Sequence, residues 1–163
     1  MSNGITFTFN GKKIKLCQNV IDTMLKYIQK EINSKEAGGI LVGKENKSNK
    51  NIIINHITVP MLEDKRKYNK FIRKDKKHVE VFKNLYKRSK KTLRYIGEWH
   101  THPEAIPNFS EIDLNNWKKI SKESDNNNNY YHIIVGYDAI KIWVIESEEY
   151  SAKLIGTIFW KEI

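Results

Sequence analysis

The sequence predicts an α/β chain of the α+β type: a curved, mostly antiparallel β-sheet flanked by two or three helices. Three observations carry the prediction. Alternating segments at 5–9, ITFTF, and 12–16, KKIKL, flank Asn10-Gly11, a strong short-range hairpin signal. Three strand-like segments follow one another further along: YHIIVG at 131–136, IKIWVI at 140–145 and SAKLIGTIFW at 151–160. Between these groups, apolar residues recur at helical spacing in three places separated by strand-like runs, a mixture that packs helices on a sheet.

After the hairpin, Asn19 is placed to cap a first helix, with Asp22 in its opening turn. Ile21, Met24, Leu25, Ile28 and Ile32 give that helix its apolar face, and it is expected to stop near Asn33-Ser34. GGILVG at 38–43 reads as a buried strand with glycines at its ends, and NIIINHITV at 51–59 as another. Residues 66–73 are ambiguous and fit a short strand. A second helix is expected over 75–91, with Val79, Phe82, Leu85 and Tyr86 inward and lysines over the remainder. LRYIGEWH at 93–100 reads as a strand, and Pro103, which cannot continue a ladder, ends it. A third helix opens at Ser110 and shows Ile112, Trp117 and Ile120. DNNNN at 125–129 reads as a polar loop. No long linker or internal repeat interrupts this order, so residues 1–163 read as one domain.

A chain of 163 residues can bury a sizeable core without covalent staples. Cys17 is the only cysteine, which excludes an intrachain disulfide and fits a reducing compartment; it reads as a small, partly buried side chain. The stretch MSNGITFTFNGKKIK lacks the basic-then-apolar layout of a signal peptide. Apolar runs such as GILV fall far short of the ~20 residues that span a bilayer, so the expectation is a cytoplasmic protein with no membrane partner. The net charge of +10 is concentrated: residues 65–91 hold thirteen Lys and Arg against Asp75 and Glu80, a local +11. Such a stripe suits an acidic partner or nucleic acid, or is simply a solvated face; no nucleic-acid-binding motif accompanies it.

GEWHTHPEAIPNFSEID at 97–113 carries the chemistry. His100 and His102 stand two apart at a strand end, where alternation points both rings to one face. Asp113 falls in the first turn of the third helix, where the helix N-terminus favours an ionised carboxylate. Two histidines and one carboxylate, with a fourth position left for water, match catalytic rather than structural zinc. Ser110-x-x-Asp113 is equally a capping-box pattern, and the two readings are compatible, because the cap fixes where Asp113 projects. Glu98 shares the strand face of His100 and either supports the metal site or pairs with a basic side chain. His56, His78 and His132 read as structural, and Trp99 as core.

His100-Thr101-His102-Pro103, six residues, Ser110, two residues, Asp113 resembles the full JAMM signature of the JAB/MPN metalloproteases, with no departure in spacing. KEAGGILVG is similar to that family's upstream glutamate before a glycine-rich strand and places Glu36 there. The resemblance spans most of the chain and implies the MPN/JAB, cytidine-deaminase-like architecture. GEWHTHP and the small size look most like the prokaryotic branch, some members of which accompany ubiquitin-like conjugation operons, including anti-phage CBASS systems. It implies one catalytic Zn2+ on His100, His102 and Asp113, Glu36 as general base, and the Ser110 hydroxyl on the developing oxyanion. Glu104 to Phe109 are expected to border the substrate channel, making Glu104 and Phe109 candidate substrate-binding residues. The implied reaction is hydrolysis of a peptide or isopeptide bond after the tail of a ubiquitin-like or similarly conjugated protein, taken as an added strand. Trimming of a ubiquitin-like precursor or release of a sulfur carrier would use the same site. A non-catalytic basic module, for nucleic acid or as a scaffold, is the contrasting expectation, and the intact ligand set argues against it.

Overall fold

The computed structural model describes residues 4–124 and 127–163. Ten strands, three helices and a closing 3-10 turn are seen among them: β1 Ile5–Phe9, β2 Lys12–Leu16, α1 Gln18–Leu25, β3 Gly38–Glu45, β4 Ile52–Ile57, β5 Lys65–Lys67, β6 Lys70–Ile72, α2 Lys77–Arg88, β7 Leu93–Thr101, α3 Glu111–Glu123, β8 Tyr130–Val135, β9 Ala139–Ile145, β10 Ala152–Phe159 and the turn Trp160–Glu162. Eight strands form one sheet in the order β1-β2-β4-β3-β7-β8-β9-β10, while β5 and β6 make a separate hairpin. Pairing is antiparallel except at β2–β4 and β7–β8. The sheet curls until β1 approaches β10: a Cβ added at Gly156 would lie 2.7 Å from the Phe7 ring. The curved, mostly antiparallel sheet with three helices is the architecture the sequence predicts.

The first hairpin forms as its turn residues dictate. Asn10 and Gly11 both take positive φ, 48° and 75°, the pairing that matches strand twist in a two-residue loop. Inside the curl, Ile14, Leu16, Ile21, Met24, Leu41, Ile54, Ile96, Trp99 and Ile133 are among the buried side chains of the main core. A smaller cluster of Trp117, Ile134, Trp143 and Ile145 holds α3 on the sheet, and Ile40, Val42 and Leu93 receive α2 through Phe82 and Leu85.

The helices differ from expectation in part; in α3 Trp117 is buried as its spacing suggests, but Ile112 is exposed. The first stops at Leu25 rather than running past Ile32, which is exposed. Tertiary partners override the periodicity: Tyr27 packs edge-on against Trp99, and Gln29 is buried with both ends of its amide hydrogen-bonded. The N-cap is Cys17, not Asn19, whose amide instead donates to the Asn55 carbonyl of β4. The second helix turns its apolar face by about one residue, so His78, Phe82 and Leu85 face inward while Val79 and Tyr86 are exposed. His78 can replace an apolar residue because both ring nitrogens are partnered, Nδ1 with Thr58 Oγ1 and Nε2 with Asp64 Oδ2, each at 2.6 Å. The ambiguous 66–73 segment becomes the β5–β6 hairpin. Of the 125–129 loop, residues 125 and 126 lie outside the described residues.

Candidate metal centre

Three elements meet at one end of the sheet: the end of β7, the start of β3 and the start of α3. Gly38 pairs with His100 in the β3–β7 ladder. The pairing continues past the strand, with Thr101 N–H donating to the Ala37 carbonyl at 2.8 Å and Ala37 N–H to Thr101 Oγ1 at 2.9 Å. Two residues beyond Gly38, that register sets Glu36 across from His102. The strand that follows must open with two glycines: a Cβ at Gly38 would lie 2.6 Å from the Phe71 ring, and one at Gly39 would lie 2.1 Å from the Thr58 carbonyl.

Beyond His102 the chain turns at Pro103 and is pinned to the β8–β9 connection, where Tyr137 and Asp138 N–H donate to the carbonyls of Glu104 and Ala105. It returns at Ser110, the N-cap of α3. The capping box is complete: Ser110 Oγ accepts from Asp113 N–H at 3.1 Å, and Ser110 N–H donates to Asp113 Oδ2 at 2.8 Å. Asp113 is thereby aimed at the histidines.

His100 Nε2 and His102 Nε2 face each other at 3.0 Å, and each lies 3.2 Å from an Asp113 oxygen, Oδ1 for His100 and Oδ2 for His102. One ligand atom from each of the three residues falls within 4.8 Å of the others. His102 Nδ1 is 2.7 Å from Glu104 Oε1. A carboxylate acceptor there suits the tautomer with its proton on Nδ1, the form whose Nε2 can take a metal; protonated on both nitrogens, His102 instead donates to Asp113. Groups this close are bridged either by imidazole protons or by a cation between them. The donor set of two imidazole nitrogens and a carboxylate therefore fits a divalent metal of zinc's type.

The electrostatics point the same way. Burial alone would raise Asp113, but hydrogen bonds from His100 and His102 and the Ser110 N–H hold it well below the usual carboxylate range. His102 is raised: burial opposes this, and Asp113, Glu36 and Glu104 outweigh it. Glu36 is only 5% exposed, and burial pushes its carboxyl up to about 8, with His102 drawing it down and Asp113 and Glu104 adding to the rise. It is a buried, protonatable carboxyl beside the candidate ligands.

The structure brings Glu36, Ser110 and Asp113 together with the two histidines, whereas Glu104 and Phe109, expected at the substrate, are held in other contacts. Glu104 spends its carboxylate on His102, and the Phe109 ring packs 5.6 Å from both Trp117 and Trp143. Glu98 takes the second of its two readings, a short ion pair with Arg73. His132 is fully buried and stacked on Trp117 at 4.8 Å, accepts the Glu98 N–H, and is pulled by burial down to about 3, so it is neutral. Sequence reasoning missed Thr101, whose buried hydroxyl accepts from Ala37 and donates to Gln29 Oε1 at 2.7 Å. Strand alternation held the signal, since a residue between two convergent histidines must face the other way. Gln29 and Arg66 carried no local signal. They reach the site through contacts thirty or more residues distant in sequence.

Known proteins resemble this chain in sequence and in fold. Residues 18–146 match the model of prokaryotic homologs of the JAB domain. A Pseudomonas aeruginosa protein named CD-NTase/cGAS isopeptidase is 31% identical over 136 residues, 83% of this chain and 85% of that one. Proteins of the same name from Escherichia coli and Vibrio cholerae are 33% and 31% identical over 104 and 108 residues, covering 64–65% of this chain and 65–68% of theirs. A solution structure of a Desulfitobacterium hafniense protein superposes with a TM-score of 0.59 over 86% of this chain and 88% of that one; at 16% identity it speaks for the fold alone. The matched span runs from the start of α1 past the end of β9 and contains Glu36, both histidines, Ser110 and Asp113, and the chain belongs to the prokaryotic JAB-domain family.

Proposed function

We propose that this protein is a zinc-dependent isopeptidase that hydrolyses the bond after the C-terminal tail of a conjugated, ubiquitin-like or similarly modified protein. The observation that carries the reading is the convergence of His100, His102 and Asp113 beside the buried Glu36 carboxyl. The relatives' name, CD-NTase/cGAS isopeptidase, supports a conjugated protein of that class as the one released, in the setting of a bacterial anti-phage system. No helix among the described residues is long and apolar enough to cross a membrane.

His100, His102 and Asp113 would hold the zinc, which supplies a Lewis acid that acidifies water toward neutrality and polarises the scissile carbonyl. Glu36 takes the proton of the attacking water as the new C–O bond forms, and delivers it to the amine as the C–N bond breaks. Ser110 Oγ accepts from Asp113 N–H, so its own proton is free to donate to the carbonyl oxygen as charge develops there. Glu104 holds His102 in the ligating tautomer. The Glu104–Phe109 loop borders the channel for the tail. No covalent intermediate is required, so Cys17, the N-cap of α1, need take no part.

The test is cleavage of a CD-NTase/cGAS-type protein joined through its C-terminal tail to a second protein. Chelator should abolish cleavage, and added zinc should restore it. Cleavage that persists in demonstrably metal-free protein would overturn the reading.

A further inference from the structure

The basic segment enters the site through its backbone. Both backbone polar groups of Glu36 are engaged by the β5–β6 hairpin. Glu36 N–H donates to the Lys67 carbonyl at 2.8 Å, and the Glu36 carbonyl accepts from Arg66 Nε at 2.8 Å. Arg66 Nη2 reaches on to the Lys35 carbonyl at 3.2 Å, so one guanidinium bridges two successive peptide units. Its cationic carbon lies 5.9 Å from the Tyr27 ring centroid, and Tyr27 in turn packs on Trp99 in the core. The next residue, Ala37, is held separately by Thr101. Residues 36 and 37 are thus fixed from two sides by two different elements.

A hairpin of three-residue strands does not hold itself in place. This one is anchored by the Phe71 ring against Gly38, by Gln29 Nε2 donating to the Tyr68 carbonyl at 2.8 Å, and by the Arg73–Glu98 ion pair. Gln29 also takes the Thr101 hydroxyl, so the hairpin, the Glu36 segment and the strand bearing both histidines share one hydrogen-bonded chain.

We propose that Arg66 is a positioning residue for Glu36: its guanidinium fork fixes the backbone at 35–36 and so aims the carboxylate at the attacking water. A fork is needed because two carbonyls at different positions must be met at once, which a lysine ammonium on a flexible stem cannot do with the same rigidity. The inference rests on Glu36 being the base.

The experiment compares wild type, Arg66→Ala and Arg66→Lys. Each is assayed for kcat and KM on the conjugate, for zinc content, and for amide hydrogen exchange at Glu36 in metal-free protein. Loss of the fork should lower kcat by about 10- to 100-fold, as a displaced catalytic group does, with KM and zinc content unchanged. Glu36 amide exchange should accelerate by at least about tenfold while core amides such as Ile133 keep their protection. Arg66→Lys should fall with Arg66→Ala, and it keeps the test open if the alanine variant does not fold. Unchanged exchange, unchanged kcat, a parallel loss of zinc, or full rescue by lysine would each overturn the proposal. Glu36→Gln tests the base independently: substantial turnover there would remove the proposed base while leaving the exchange result to report on the clamp.

Discussion

At the residue scale, Glu36 is the group whose placement matters most. Glu36→Gln should keep its zinc and lose at least about 100-fold in turnover, as removal of a general base does; metal analysis beside initial rates checks both halves. Its proton also has a thermodynamic signature. Burial raises the carboxyl from 4.5 to about 8, so between those values the folded metal-free chain keeps a proton that the unfolded chain has released. The stability of the metal-free protein therefore falls as pH rises through that window. Thermal melts at about pH 5 and about pH 8 should show a drop at least about 3 °C smaller for Glu36→Gln than for wild type, and equal drops would contradict the burial. The raised His102 loses its contribution in the same direction, which is why the comparison with Glu36→Gln is needed. Glu104 invites a second substitution. Glu104→Ala leaves His102 Nδ1 unpartnered and should weaken zinc affinity by about 10- to 100-fold, read by competition with a chromogenic chelator. The histidines, Ser110 and Asp113 were legible in the sequence because their spacing is local. Glu104's bond to His102 was not, because nothing in the sequence distinguishes a carboxylate that meets a ligand from one that meets a substrate.

At the scale of elements, α3 joins folding to chemistry. Its cap is reciprocal, and one half of the box is a candidate metal ligand. Ser110→Ala removes the acceptor of the Asp113 N–H and should cost about 1 kcal/mol of stability. It should also lower turnover more than zinc binding, since it takes away a donor without taking away a ligand. Melting, metal content and rate measured together separate these effects. Hairpins and strands followed from alternation and from Asn10-Gly11, which is local information. The extent of α1 did not follow, because the periodic Ile28 and Ile32 continue a helical pattern that Tyr27 and Gln29 interrupt for distant partners. The rotated face of α2 was hidden for a similar reason: His78 reads as polar until Asp64 and Thr58 are seen to satisfy it.

For the molecule as a whole, the charge distribution is the open variable. Lys74, Lys76, Lys77, Lys83, Lys87, Lys90 and Lys91 are exposed on and around α2, in a segment whose hairpin touches the Glu36 backbone. If the conjugated protein meets this surface with acidic groups, raising salt from about 50 to about 300 mM should raise KM several-fold and leave kcat nearly unchanged. Charge reversal at Lys83 and Lys87 should do the same at constant salt. A salt-insensitive KM would return the segment to a merely solvated face. The near-closure of the sheet, with Phe7 against Gly156, was not legible in the sequence, since curvature is a sum over every strand and belongs to none.

The two oxygens of Asp113 are occupied differently: Oδ2 takes the Ser110 N–H as well as facing His102, and Oδ1 faces only His100. An asparagine at 113 keeps one carbonyl oxygen for the helix start and turns the other ligand position into an amide. If the proposed centre is correct, Asp113→Asn should therefore lose zinc and turnover while keeping its melting temperature, which metal analysis, rates and a thermal melt would check together. On that proposed reading, catalyst and scaffold are neighbours one substitution apart, and a descendant could go on gripping the kind of protein its ancestor would have released.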